Sequence, residues 1–369
     1  MTKQVTDPYI RQAIQFNDGH FVVLCQFIQQ SELLFTVLEL QADKTFRQSR
    51  CREFEINFFD PSTNRLMTIS RVWTDYEDEL GYYQAFRLVF DTAEEDIGCR
   101  IHWGHLVESF SELYIKAIIV DEHGGQVKGL GKYFNEKYPE YTSDEHIGKI
   151  VKVCQTHYFR SITKMAHKGG TKGTSNCSPM LNVEEICDIL KGLPGHLTSD
   201  SLAAALAIVR AETLKPNAPK ILINWLKHKD SNPWVLNCLC FPFSTMRRTD
   251  WIATSFTTNI AESAHALSQR HGKQLTLVAA IQAGQKLDSQ HFQLAQVVHR
   301  MGVNSVYGNR SATGRARRNL NRQRSRVEAT KKAKKHEMTE KILMEAKNLL
   351  DAEVSKEVVE EFLASKSKS

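Results

Sequence analysis

Apolar segments with strand character alternate with helical segments over the first 160 residues. In chain order, the sequence predicts a strand at 35–42, a hairpin with arms at 53–59 and 66–73, a helix at 75–89, a strand at 113–120, a helix at 124–138, a strand at 147–154 and a helix from His157. The hairpin arms are joined by a run of turn-forming residues, Asp-Pro-Ser-Thr-Asn. This order predicts an α/β protein in which helices pack on a mixed sheet.

The character of the chain changes after residue 168. A Gly/Ser/Thr-rich loop is followed by a helical pattern at 183–229, an irregular stretch at 232–251 and two further helical segments. We therefore expect four parts: the first part of an α/β core at 1–168, a mostly helical insertion at 169–250, the last core helices at 251–303, and a basic linker with an amphipathic helix at 304–369.

Basic charge is concentrated near the end of the chain. The 369 residues carry a net charge of +6, but 310–335 alone holds seven Arg, four Lys and one Glu. The preceding body is therefore close to neutral, which argues against nucleic-acid binding by bulk charge. The basic segment has the form of a nuclear import signal or of an arm that neutralises phosphates, with a solvated charged helix as the alternative. Its candidate DNA contacts are Arg315, Arg317 and Arg318.

The segment 339–364 has the apolar spacing of an amphipathic helix. It is a candidate for self-association into a homodimer or a larger oligomer, and docking onto the same chain is an equal alternative. No run of about 18 apolar residues occurs, so no membrane-spanning helix is expected. The first eleven residues lack an apolar core, so no signal peptide is expected.

Cysteine usage indicates free thiols in a reducing compartment. The eight cysteines are scattered, without the spacing of a disulfide framework, and no Cys-x-x-Cys pair occurs, so no zinc module is evident. Cys154 and His157 form half of a zinc site at most. The alternative is a buried cysteine beside a hydrogen-bonded histidine.

Three acidic residues lie at positions typical of functional sites in α/β proteins, at the ends of strands or the start of a helix. Asp43 and Asp121 each follow a predicted strand, and Glu262 lies at the start of a predicted helix. Carboxylates at strand ends are costly to bury unless they are compensated, and a divalent cation provides that compensation. The alternatives are ordinary turn or cap roles for the two aspartates, and a capping box for Glu262 with Asn259.

Histidine and tryptophan residues add weaker candidates. His102 and His105 could bind a metal, although a loop that packs Trp103 on the core is the alternative reading. Tryptophans at three positions of the second half could stack on bases or pack in the core: Trp225, Trp234 and Trp251.

Four blocks of this sequence contain the candidate site residues: Ala42-Asp-Lys-Thr-Phe46, Ile118-Ile-Val-Asp-Glu122 with Gly129-Leu-Gly131, Cys154-Gln-Thr-His157, and Thr258-Asn-Ile-Ala-Glu-Ser-Ala-His265. They resemble the catalytic domain of Mutator-like element (MULE) transposases, and the chain is similar in character to fungal members. The blocks occur in the order of that family. The resemblance implies an RNase H-like fold (a DDE transposase core) with a helical insertion before the last acid.

The resemblance also implies a mechanism. Asp43, Asp121 and Glu262 would be catalytic and would bind two Mg²⁺ or Mn²⁺ ions, with Cys154 and His157 as a family signature near the site. Water would nick the transposon end, and the freed 3′-hydroxyl would then join target DNA in the nucleus. Further candidates for DNA contact are Arg160, His265 and Arg270, each of which is equally an ordinary surface residue.

Two other functions fit the same residues. One is a catalytically inactive, transposase-derived factor that binds DNA or protein, and the other is an RNase H-like nuclease of different purpose. Many family members carry an N-terminal zinc module for DNA recognition and some a C-terminal Cys/His module, and neither is visible here. A truncated copy of a transposase is therefore a further alternative.

Overall fold

Seven strands form one mixed sheet in the computed structural model, which describes residues 9–45, 51–61, 63, 65–107, 113–169, 183–216, 218–268 and 275–301. The strands are β1 (Ile10–Gln15), β2 (Phe21–Cys25), β3 (Glu39–Thr45), β4 (Arg52–Asp60), β5 (Arg65–Thr74), β6 (Ala117–Val120) and β7 (Val151–Val153). Their order across the sheet is β1-β2-β5-β4-β3-β6-β7. The predicted α/β class is therefore confirmed.

Strand direction divides the sheet into two parts. From β1 to β3 every neighbouring pair is antiparallel, and the predicted hairpin is confirmed as β4 and β5. The pairs β3–β6 and β6–β7 are parallel. Because parallel strands end at the same edge, the residues that follow β6 and β7 lie beside the last residues of β3.

Some strand predictions differ from the structure. β3 begins at Glu39 and runs past Asp43 to Thr45, so Asp43 lies within a strand and does not follow one. The segment expected as a strand at 147–154 is mostly a helix, and only its last part forms β7. The hairpin of β1 and β2 was not predicted, because β1 is half-exposed and shows little apolar alternation.

Twelve α-helices accompany the sheet in the described residues. They are α1 (Ile28–Leu34), α2 (Glu79–Ile97), α3 (Gly124–Lys137), α4 (Ser143–Ile150), α5 (Gln155–Gly169), α6 (Val183–Gly192), α7 (Ser199–Thr213), α8 (Lys220–Ser231), α9 (Trp234–Leu239), α10 (Arg248–Ala253), α11 (Asn259–Ser268) and α12 (Leu277–Met301). The expectation of an irregular stretch at 232–251 was wrong, since α9 and α10 form there. None of these helices combines the length and apolar character that a membrane crossing requires.

Local signals set the ends of the longest early helix. The Asp78 side chain accepts a hydrogen bond from the backbone N–H of Gly81 and so caps the start of α2. Gly98, with a φ of 73°, ends it in the left-handed conformation that glycine adopts without strain. Phe86 and Phe90 of this helix are fully buried against the sheet.

The two faces of the central strands differ in chemistry. Along β4, Phe54, Ile56 and Phe58 belong to the main apolar core, because alternate residues of a strand point to the same face. The intervening residues are polar and equally buried: Glu53, Glu55 and Asn57. α11 and α12 contact this polar face, which places buried charge beneath the last two described helices.

The tryptophans pack against the core, which was the alternative to stacking on bases. Trp103 is fully buried against Phe90 and Phe134, so the loop that carries it packs on the core. Trp251 is buried beside Phe256. Trp225 and Trp234 are partly buried against the main core.

Candidate active site

The parallel register brings the first two predicted acids together. Ala42 of β3 pairs with Val120 of β6. Asp43 and Asp121 directly follow these two residues and are therefore neighbours at the end of the parallel pair. Asp43 is only 7% exposed, and Asp121 is half-buried. Burial and then the negative charge of Asp43 raise the pKa of Asp121, although its hydrogen bond to His157 acts in the opposite direction. Two carboxylates that repel each other in a partly buried site favour cation binding.

His157 bridges two of the predicted acids. It lies in the first turn of α5, which follows β7, the neighbour of β6. Its Nδ1 is 2.5 Å from Oδ1 of Asp121, and its Nε2 is 3.1 Å from Oε1 of Glu262. The hydrogen bond to Asp121 is the largest cause that raises the pKa of His157 to about 10, so its imidazole is a cation at neutral pH. Asp121 and Glu262 are thus separated by one imidazolium ring.

Glu262 faces the site from the first turn of α11. In addition to His157, its carboxylate accepts hydrogen bonds from both terminal nitrogens of Arg160, one of them at 3.0 Å. These contacts direct the carboxylate toward α5 and away from the capping-box role with Asn259. Arg160 is 51% exposed, so one side of this group faces solvent.

Cys154 adds a sulfur atom to the same place. It is fully buried at the end of β7, and its Sγ accepts hydrogen bonds from the backbone N–H and the hydroxyl of Thr258, each at 3.2 Å. Burial alone would raise the pKa of the thiol, but hydrogen bonds from His157 and Thr258 lower it. The predicted alternative of a buried cysteine beside a hydrogen-bonded histidine therefore describes these contacts.

His265 lies under the site, and the idea that it is an exposed helical residue was wrong. Its side chain is buried, with Nε2 3.3 Å from Oδ2 of Asp43 and Nδ1 3.4 Å from Oε2 of Glu55. Burial alone would lower the pKa of His265, but Glu55 and Asp43 together raise it to about 9. Burial alone would raise the pKa of Asp43, but the contact with the positively charged His265 lowers it. A buried His265 offers no surface for a DNA contact.

Glu55 is a site residue that sequence reasoning missed. It pairs directly with Asp43 across β3 and β4 and is fully buried. The available signal was the alternation in β4, where Glu53, Glu55 and Asn57 share one strand face between apolar residues. Such a face requires buried partners.

Several predicted residues are not brought into this site. His105 contacts His146, with Nε2 and Nδ1 2.8 Å apart, whereas His102 is exposed, so the two do not form a metal pair. The predicted DNA contacts Arg270, Arg315, Arg317 and Arg318, the basic segment and the segment 339–364 lie outside the described residues.

Comparisons with family models, with curated proteins and with solved structures find no match to this chain.

Proposed function

We propose that the protein is a metal-dependent DNA transposase of the Mutator-like class. The observation that carries the proposal is the convergence of Asp43, Asp121 and Glu262, which are far apart in sequence, around His157 and His265. Only the first two are related by strand register. Glu262 arrives from a separate helix after more than a hundred intervening residues.

The strand topology supports an RNase H-like assignment for the core. β3, β4 and β5 form an antiparallel meander, and β6 and β7 then add in parallel on the side of β3. This order and these directions are the ones expected of an RNase H-like sheet, and in the proposal β1 and β2 are an added hairpin at the β5 edge. α6, α7 and α8 precede the helix of Glu262, where the resemblance expects a helical insertion.

The donor set suits hard divalent cations. Asp43, Asp121 and Glu262 offer carboxylate oxygens, which Mg²⁺ and Mn²⁺ prefer as ligands. Asp43 and Asp121 concentrate negative charge in one partly buried site, and this charge raises the pKa values of the neighbouring His157 and His265. When bound, two such ions would stabilise the attacking and leaving oxygens of a phosphoryl transfer.

The side chains of the protein have distinct tasks in this proposal. His265 fixes the orientation of Asp43, and Glu55 fixes His265 from the other side. Arg160 and His157 hold Glu262 at the α5 side of the site, where the His157 ring lies between it and Asp121. Because Arg160 is half-exposed beside the acids, it is the described residue best placed to contact a DNA phosphate at this site.

Nicking of a supercoiled plasmid with Mg²⁺ or Mn²⁺ tests the catalytic assignment. Asp43→Asn, Asp121→Asn and Glu262→Gln should each abolish nicking, while circular dichroism shows that the fold is kept. Asp230→Asn is the matched control, because Asp230 is an exposed acid of α8 whose charge is paired with Arg210. Full nicking by Asp121→Asn protein would refute the metal-site assignment.

Transposition requires a second reaction beyond nicking. A radiolabelled oligonucleotide with a free 3′-hydroxyl should become joined to plasmid DNA, and Glu262→Gln should prevent this. Nicking without joined product would instead favour an RNase H-like nuclease. Retention of DNA binding with neither reaction would favour the inactive DNA-binding factor.

A further inference from the structure

Four possible metal-ligand atoms of different chemistry lie close together beside the proposed Mg²⁺ site. They are Oδ1 of Asp121, Sγ of Cys154, Nδ1 of His157 and Oγ1 of Thr258, which we call the Cys154 cluster. Ligand atoms of Asp121, Cys154 and His157 all lie within 4.8 Å of one another. The Thr258 hydroxyl is 3.4 Å from the carboxylate oxygen, 3.2 Å from the sulfur and 3.3 Å from the ring nitrogen.

The three distances from the Thr258 hydroxyl match those of a small tetrahedral cage. Metal–ligand bonds of 2.0–2.3 Å place the vertices of a tetrahedral zinc site about 3.3–3.6 Å apart. The three distances from Thr258 fall at 3.2–3.4 Å, so its hydroxyl is placed as a fourth vertex. The contact of 2.5 Å between Asp121 and His157 would need to lengthen by about 1 Å for the same geometry.

The contacts within the Cys154 cluster join atoms that can all become metal ligands. The Thr258 hydroxyl lies within 3.4 Å of a carboxylate oxygen, a sulfur atom and a ring nitrogen, and Nδ1 of His157 faces Asp121. When a cation binds, His157 would release its Nδ1 proton and Cys154 would bind as the thiolate, because metal ligands of these types must be deprotonated.

We infer that the Cys154 cluster binds Zn²⁺ or a similar thiophilic divalent ion, through Asp121, Cys154 and His157, with the Thr258 hydroxyl or a water as the fourth ligand. The ligand type decides the metal class, because a thiolate and an imidazole select Zn²⁺ over Mg²⁺. The backbone N–H of Thr258 donates to the sulfur at 3.2 Å and orients it toward the cage.

This inference is independent of the proposed function, since metal occupancy can be measured without DNA. It does carry a consequence for that function. Asp121 belongs both to the Cys154 cluster and to the proposed Mg²⁺ site, so Zn²⁺ would remove a ligand that catalysis requires. The site would then be a point at which a thiophilic ion inhibits the reaction.

Cobalt spectroscopy tests the inference on the full chain, kept reduced by a phosphine. Co²⁺ should bind with one equivalent, giving a thiolate-to-cobalt charge-transfer band and the visible bands of a tetrahedral ion, and Zn²⁺ should displace it. Cys154→Ser should remove the charge-transfer band. The matched controls Cys187→Ser, at another buried cysteine, and Cys99→Ser, at an exposed one, should keep it.

Two further variants test Co²⁺ binding at the Cys154 cluster if Cys154→Ser does not fold. Asp121→Asn should keep the charge-transfer band but weaken Co²⁺ binding at least about tenfold, and Thr258→Val should weaken it about tenfold, as loss of a group that orients a ligand does. Absence of a charge-transfer band in the unmodified protein at millimolar Co²⁺ would overturn the inference. So would a band that survives Cys154→Ser, or Co²⁺ binding that neither of the two further variants weakens.

Discussion

A cluster of buried charges beneath α11 and α12 provides the sharpest test of how this fold is stabilised. Arg71 of β5 contacts Glu53 at 2.7 Å and also Glu55, both on β4, and its other terminal nitrogen is 2.8 Å from Asp288 of α12. None of these four side chains is more than 1% exposed. Burial and the charge of Glu55 raise the pKa of Glu53 to about 8, so Glu53 is mostly neutral at pH 7.

Asp288→Asn is the smallest change that unbalances this cluster. Oδ1 of Asp288 accepts from Arg71 Nε at 3.1 Å and from its Nη2 at 2.8 Å, and Oδ2 accepts from Tyr9 at 2.7 Å and Gln30 at 3.0 Å. All of these partners are donors. Either orientation of an asparagine amide therefore places its NH₂ group against donors. Breaking one partner of a buried ion pair costs about 3–5 kcal/mol, of which about 1–3 kcal/mol is the unsatisfied hydrogen bonding.

Equilibrium unfolding in urea, followed by circular dichroism, measures this cost. Asp288→Asn should lower the free energy of unfolding by about 3–5 kcal/mol with an unchanged denaturant slope. Asp230→Asn makes the same chemical change at an exposed pair with Arg210, and it should cost no more than about 1 kcal/mol. Equal costs for the two variants would refute the reasoning that the buried cluster holds α12 on the sheet.

Two further predictions concern other parts of the core. Gly129→Ala should destabilise the protein by about 1–3 kcal/mol in the same urea assay, because the new alanine Cβ would lie 2.6 Å from the backbone nitrogen of Tyr83. Gly195→Ala, which meets nothing within 4 Å, should change stability by less than about 0.5 kcal/mol, and a similar loss in both would contradict this packing argument. Burial, followed by the charge of His146, lowers the pKa of His105 to about 3, so protonation favours the unfolded chain, and stability should fall as the pH drops below about 6.5. Between pH 7 and pH 5 this contributes about 2 kcal/mol at most, and unfolding midpoints at several pH values should show a shallower dependence for His105→Gln; equal slopes would contradict it.

The sequence predicted the centre of the sheet better than its edges. The arms of the hairpin stand out because β4 and β5 mix apolar and polar residues in strand-like patterns on either side of a turn-forming connection. β7 has only three residues and follows α4 without a break, so its local pattern could not separate helix from strand. β1 is exposed at the sheet edge and depends on pairing with β2, which no local pattern reports.

Site residues were predictable to the extent that they follow strands or begin helices. Asp121 directly follows a fully buried strand, a position that local pattern identifies. Glu55 lies in the middle of a strand, and its importance arises from its pairing with Asp43 and from the arrival of His265 on α11. These are contacts between distant parts of the chain. The same holds for Thr258, whose hydroxyl contacts Cys154 although the two residues are 104 positions apart in the chain.

One face of α11 connects the proposed chemistry to the stability of the fold. Glu262 and His265 are three residues apart, so they lie on the same side of this helix. The first contacts His157 above the sheet, and the second contacts Asp43 and Glu55 within it. Glu55 in turn belongs to the buried cluster of Arg71. A buried acid such as Asp43 needs a positive partner, and Glu55 together with Asp43 favours the charged form of His265 that supplies it. The polar face of the sheet therefore links the fold to the proposed site, because Glu55 contacts both Arg71 of the buried cluster and the His265 beside Asp43.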